Sequence, residues 1–183
     1  MKKMHKEQGD LDALCGVYAI VNAFTHLGVE RRYSKRLFKL ACKGLPKKKW
    51  PKVLWNGTYL KDIRRMVENC QKKSERSGSL RIDVSYPFKK ETPQTDEEFW
   101  KGFDDLFDDA PEKKCAIIGL TRPYAHWVVV TKESAGRLRI IDSDSPLPST
   151  LKNRASFTAR DRSPDHRKWK ITRKELVLFQ LKA

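Results

Sequence analysis

The chain has 183 residues, 39% of them hydrophobic, and carries 39 Lys and Arg against 23 Asp and Glu, a net charge of +16. That length and hydrophobic share suit one domain spanning 1–183 with its own core, and they exclude a disordered chain. No apolar run approaches the ~20 residues of a membrane span, and the basic balance fits nucleic acid, an acidic protein, a membrane surface or simply a solvated face.

Residues 1–9 read as an extended, Lys-rich lead-in. Asp10 and Asp12 interrupt it before the apolar stretch begins, which argues against an export signal and for a cytoplasmic location, with specialised secretion left open. Leu14, Val17, Tyr18, Val21 and Phe24 then recur at helical spacing. They predict a helix from Asp12 or Leu14 to about Thr25, with Asp12 as N-cap and Gly28 as its stop. A second helix is expected from Ser34 to near Gly44, with Leu37, Phe38, Leu40 and Ala41 inward. Lys47, Lys48 and Lys49, followed by Trp50-Pro51-Lys52, read as a basic loop. Thr58 is the expected cap of a third helix carrying Leu60, Ile63, Met66, Val67 and Cys70 on one stripe.

The period then shortens. Leu80, Ile82 and Val84 alternate with Arg81 and Asp83, as in a strand. Thr95 and Glu98 form a capping box ahead of an acidic helix with Phe99, Phe103, Leu106 and Phe107. Cys115 to Leu120 is nearly all apolar and reads as a buried strand. A hairpin follows, His126 to Thr131 and Leu138 to Asp142, around a connection holding Ser134 and Gly136. Residues 143–166 read as a long loop, and Glu175–Leu181 as a closing strand. Helices first and strands second give an α+β class, with a helical part at about 12–75 and a sheet part at about 78–183.

Cys15, Cys42, Cys70 and Cys115 lie 27, 28 and 45 residues apart without a C-x-x-C pair. This spacing disfavours a zinc site and a compact disulfide framework, and no cofactor or metal is expected. Cys42, Cys70 and Cys115 sit in apolar-periodic segments, as buried free thiols do. Cys15 stands at a helix start, where the positive end of the helix and unpaired N–H groups lower a thiol pKa. Gly16 leaves its sulfur unobstructed.

His126 opens one hairpin strand and Asp142 closes the next. If Thr131 faces Arg137, His126 faces Asp142 on the same side of the sheet, where a carboxylate can orient an imidazole. A one-residue slip would break that pairing, and Asp144 is then the fallback partner. Among the other histidines, His5 reads as solvated, His26 as a cation on the dipole of the first helix, and His166 as part of a basic loop. Trp127 alternates away from His126. Trp50 and Trp55, beside the lysines, read as edge packing or as a stacking surface for nucleic acid.

The run Gln8-Gly9-Asp10-Leu11-Asp12-Ala13-Leu14-Cys15-Gly16 ahead of an apolar helix resembles the start of papain-like cysteine peptidases, the C39-like group above all. His126-Trp127-Val128-Val129-Val130 and Ile140-Ile141-Asp142 resemble that group's His and Asp strands. Six residues separate Gln8 from Cys15, one more than is usual in the group. The resemblance implies a papain-like fold in which Cys15 attacks a carbonyl, His126 moves the proton and Asp142 orients the ring. Gln8 and the Cys15 N–H would then form the oxyanion hole. It implies a protein or peptide substrate, and the basic surface favours an acidic one. Cleavage of peptide or isopeptide amides, glutamine deamidation and transglutamination all pass through the same thioester. The competing reading is a papain-like binding module that holds nucleic acid or an acidic protein.

Overall fold

The computed structural model describes residues 12–75, 81–108, 113–122, 124–145, 147, 149–159 and 168–182. His5, Gln8, Leu80 and His166, together with part of the expected 143–166 loop, lie outside these residues. In chain order the helices are α1 (Cys15–His26), α2 (Ser34–Gly44), α3 (Val53–Asn56), α4 (Leu60–Glu75) and α5 (Asp96–Asp108). The strands are β1 (Ile82–Ser85), β2 (Lys114–Arg122), β3 (His126–Ser134), β4 (Arg137–Ile141), β5 (Thr150–Asn153), β6 (Phe157–Thr158) and β7 (Trp169–Leu181).

The strands form one sheet in the order β1-β7-β2-β3-β4-β5, antiparallel throughout, with β6 joined to β7 in parallel. Successive strand residues face opposite sides, and the sheet has a core on each. Cys115, Ile117, Trp127, Val129, Val177 and Phe179 meet Val17, Ile20, Phe24, Ile63 and Met66 of α1 and α4. Ala116, Ile118, Val128, Val130, Leu138, Ile140 and Leu178 meet Phe99 and Phe103 of α5 on the other face. The expected continuous apolar run in β2 is explained by this double burial. Asp104 fixes α5 to the sheet through Arg154 at 2.6 Å and Lys132 at 2.8 Å. Arg154 holds the Asp104 carboxyl down at about pKa 2.

Three local expectations are corrected. Thr58 does not cap α4: its hydroxyl is buried without a hydrogen-bond partner. Asp62 takes that role, accepting the Tyr59 N–H at 3.2 Å, and it also binds Lys49 at 2.5 Å. Lys49 therefore stands apart from the exposed Lys47 and Lys48. The segment expected as a loop after Asp142 contains β5 and β6; β5 is a half-exposed edge strand, so its polar residues hide no apolar period. As expected, α5 lies between β1 and β2. The capping box of α5 is present in shifted form. Glu98 N–H donates to Thr95 Oγ1 at 3.1 Å, while the Glu98 carboxylate accepts from Gln94 N–H at 2.7 Å.

Candidate active site

Cys15 is the first residue of α1. The backbone ahead of it is held at two points. Ala13 N–H donates to Leu54 O of α3 at 2.7 Å, and Leu14 N–H donates to Asp12 Oδ1 at 2.9 Å. Asp12 thus makes a local turn and does not occupy the cap position, which Leu14 fills. The first-turn N–H groups of α1 lack partners within the helix and mark its positive end. Gly16 is required for a different reason from the one expected. A Cβ there would run into Thr58 Oγ1 and lie 2.6 Å from Ile63 Cδ1 and 3.3 Å from Trp127 Cδ1. The missing side chain lets α1 dock against β3 and the start of α4, which sets where Cys15 lies. Trp127 is itself fixed, donating Nε1–H to Thr58 O at 2.8 Å.

The β3–β4 hairpin turns more tightly than expected. Ser134 faces Arg137, and a bulge lies between Lys132 and Ser134. Val129 consequently faces Ile141 rather than Arg139. The displacement is two residues, so every side chain keeps its face. Asp142 sits diagonal to His126 instead of opposite it, and the two still meet: His126 Nε2–H donates to Asp142 Oδ1 at 2.6 Å, with both residues buried. Asp144, the fallback partner, does not bind the ring. Its N–H donates to Asp142 Oδ1 at 2.9 Å, and its carboxylate accepts the Tyr124 hydroxyl at 3.0 Å. The Tyr124 ring lies 5.3 Å from the His126 ring.

Burial by itself would lower the His126 pKa, but hydrogen bonding to Asp142 and to Cys15, with their charges, raises it to about 9. Nε2 is committed to Asp142, so a bond from this ring to Cys15 would use Nδ1. The other three thiols differ. Cys42 is pushed up by burial, Cys70 is pushed up to about 12, and Cys115 is raised further by complete burial. Each is reduced, and Cys70 and Cys115 lie in the core. His26, expected as a cation, is instead neutral near pH 7: burial, then Lys113 and Arg139, lower it to about 4.

Cys15 and His126 open onto a cleft of 620 Å³ whose walls include Asp12, Trp55, Thr58, Tyr59, Gly119, Tyr124 and Glu175. Trp55 and Tyr59 are about two-thirds exposed at its rim, while Trp50 packs against the helical core. Sequence patterns gave no reason to select Tyr59, Tyr124 or Glu175. They come from three separate segments and share no period, so only the folded chain brings them together. Among the described residues, no helix is long and apolar enough to cross a membrane.

No family model matches the chain, and no curated protein matches it. Among solved structures, the chain is similar to the peptidase domain of Streptococcus ComA, a bi-functional ABC transporter involved in a quorum-sensing pathway. That match has a TM-score of 0.53 and 16% identity over 99% of this chain and 99% of the other. The Pseudomonas avirulence protein AvrPphB gives a TM-score of 0.39 and 11% identity over 92% and 91% of the two chains; a score that low carries no argument. The first likeness is one of fold alone: the chain is α+β, with the papain-like arrangement of N-terminal helices packed on an antiparallel sheet.

Proposed function

We propose that the chain is a papain-like cysteine hydrolase that cleaves peptide or isopeptide amide bonds through a thioester at Cys15. The observation that carries this reading is the buried 2.6 Å bond between His126 and Asp142, with Cys15 interacting with the same ring. A ring pKa near 9 keeps the imidazole protonated at neutral pH, ready to give its proton to a leaving amine.

In the first step the Cys15 sulfur attacks the amide carbonyl carbon, and a C–S bond forms. The oxyanion is stabilised by the N–H of Cys15 at the start of α1 and, as the resemblance implies, by the Gln8 side chain. His126 gives its proton to the leaving amine as the C–N bond breaks, producing a thioester and a free amine. His126 then takes a proton from water, hydroxide adds to the thioester carbonyl, and the acid leaves as the Cys15 thiolate is restored. Asp142 holds the ring orientation throughout and stabilises its cation.

The test is site-resolved alkylation with iodoacetamide at pH 7, combined with hydrolysis of a peptide library by wild type and Cys15→Ser. Cys15 should label at least tenfold faster than Cys42, the least buried of the other thiols, because deprotonating an ordinary thiol near pKa 8.5 costs about that factor at pH 7. Labelling of Cys15 no faster than Cys42 would overturn the assignment.

A further inference from the structure

The charge of the cleft runs against that of the protein. Lys and Arg make up 39 of 183 residues, yet among the described residues none lines the cleft, whose charged lining residues are Asp12, Asp144 and Glu175 besides His126. Two of these carboxylates already have local partners: Asp12 accepts from Leu14 N–H, and Asp144 from Tyr124. Glu175 forms no ion pair among the described residues.

The chain makes a specific structural provision for Glu175. Strands β2 and β7 pair regularly up to Ile118 and Leu176, and then the register jumps so that Leu120 faces Ile171. The additional residues of β7 at this irregularity, 172–175, sit opposite Gly119, and Thr172 and Glu175 line the cleft as a result. A Cβ on Gly119 would collide with the Glu175 carboxylate and lie 3.2 Å from Trp127 Cζ3. Gly119 thus gives the carboxylate space against the strand, beside the same Trp127 that fixes Thr58 and abuts Gly16. Burial raises the Glu175 pKa more than the neighbouring Thr172 hydroxyl and Lys174 lower it. A half-buried carboxylate held in no ion pair among the described residues is costly, and a cation entering the cleft would relieve that cost. The exposed rings of Trp55 and Tyr59 at the rim offer surfaces on which the aliphatic stem and cationic head of a Lys or Arg can pass.

We propose that Glu175 is the base of a substrate subsite that receives the cationic side chain of a Lys or Arg in the peptide lying across Cys15. This rests on the hydrolase reading above and specifies its substrate class. The basic outer surface repels such a peptide at long range, so selection is made inside the cleft at short range, where salt screens less. An acidic segment can still be held by the outer surface, but among the described residues it meets no Lys or Arg within the cleft.

The test uses charged thiol reagents of equal size and peptidyl probes. Wild type, Glu175→Gln and Glu175→Asp are treated with ammonioethyl and with sulfonatoethyl methanethiosulfonate, and labelling of Cys15 is followed by mass spectrometry. One charge at ~6 Å in a partly solvated cleft shifts such a rate roughly tenfold. The cation-to-anion rate ratio should therefore fall about tenfold in Glu175→Gln and be retained in Glu175→Asp. In wild type and Glu175→Gln alike, raising the salt to about 0.5 M weakens the long-range effect of the basic surface, so a change shared by the two proteins belongs to that surface and the difference between them to the cleft. Peptidyl vinyl sulfones with Lys, norleucine or Glu at successive positions should label fastest with Lys at one position, and Glu175→Gln should remove that preference. A rate ratio that Glu175→Gln leaves unchanged at low and at high salt, with Cys15 still fast toward iodoacetamide, overturns the subsite alone. Slow labelling of wild-type Cys15 by every reagent overturns the hydrolase reading on which it rests.

Discussion

Replacing Asp142 with Asn removes a charge while keeping a side chain of the same shape, and it tests how the His126 ring is held. The ring pKa rises from 6.5 to about 9, which corresponds to ~3 kcal/mol in favour of the imidazolium. Burial opposes that rise, and Asp142 and Cys15 supply it together. If Asp142 supplies about half, its charge contributes ~1.5 kcal/mol, or about tenfold in the equilibrium between imidazolium and imidazole. The His126 side chain is only 5% exposed, so solvent screening removes little of this. The assay is the pH dependence of Cys15 alkylation. Wild type should stay reactive well below the ordinary thiol range. D142N should lose about tenfold at pH 6.5 and recover as the pH passes 8. A second readout follows from the sign of the linkage. A histidine whose folded pKa is raised contributes stability that is complete below 6.5 and is lost as the pH rises through about 9. The urea midpoint of wild type should therefore drop between pH 7 and 9.5, and that of D142N should drop less. Superimposable alkylation profiles for the two proteins would refute the coupling of Asp142 through His126 to the thiol.

Gly16→Ala should cost about 1–3 kcal/mol of stability by overpacking against Thr58, Ile63 and Trp127, read as a fall in melting temperature. It should also slow Cys15 alkylation, because α1 must shift to admit the methyl group. Lys49→Ala leaves the Asp62 carboxylate, 1% exposed, without its cation and should destabilise by about 2–3 kcal/mol, discounted for the partial exposure of Lys49. Lys48→Ala should stay within about 0.5 kcal/mol on the same urea titration. Reversing Lys47 and Lys48, with Lys49 left intact, isolates the effect of the basic surface on association. His26 is lowered to about 4, so its neutral burial contributes stability above pH 6.5 that is lost as the pH falls toward 4. His26→Gln should flatten that acid slope in urea unfolding followed by circular dichroism.

The parts of the candidate site that could be read from the sequence are those carried by a local pattern. Cys15 stands where an apolar period begins, His126 where a strand begins, and Asp142 where the next strand ends. Each of these positions is set by its own few neighbours. Contacts between distant segments left no such trace. Thr58 resembles a helix cap in sequence, yet it is drawn away because its carbonyl serves Trp127 and its hydroxyl packs on Gly16, while Asp62 caps α4 instead. Glu175 reaches the cleft through a register jump in β7, and the alternation of a strand sequence does not reveal where such a jump occurs. Strand β5 escaped notice because an edge strand exposed on both faces has no apolar period to display.

The hairpin explains why a reading of the site could survive an error in the fold. The five-residue connection expected between β3 and β4 is a tight turn beside a bulge, and the true register lies two residues from the expected one. Side chains alternate with a period of two, so an even displacement leaves His126 and Asp142 on a common face, diagonal instead of opposed. A diagonal separation is ~7–8 Å between backbone positions, within reach of an imidazole and a carboxylate that lean toward one another, and the 2.6 Å bond forms. An odd displacement would have sent Asp142 to the opposite face and brought its neighbour Ile141 or Ser143 toward the ring. The constraint on this chain is therefore parity along the hairpin, held by the β3–β4 bulge. Deleting Ala135 or inserting one residue beside it should disrupt the His126–Asp142 pair far more than inserting two, with Cys15 alkylation at pH 6.5 as the measure. Equal losses from the one- and two-residue insertions would show that loop strain, and not parity, governs the site.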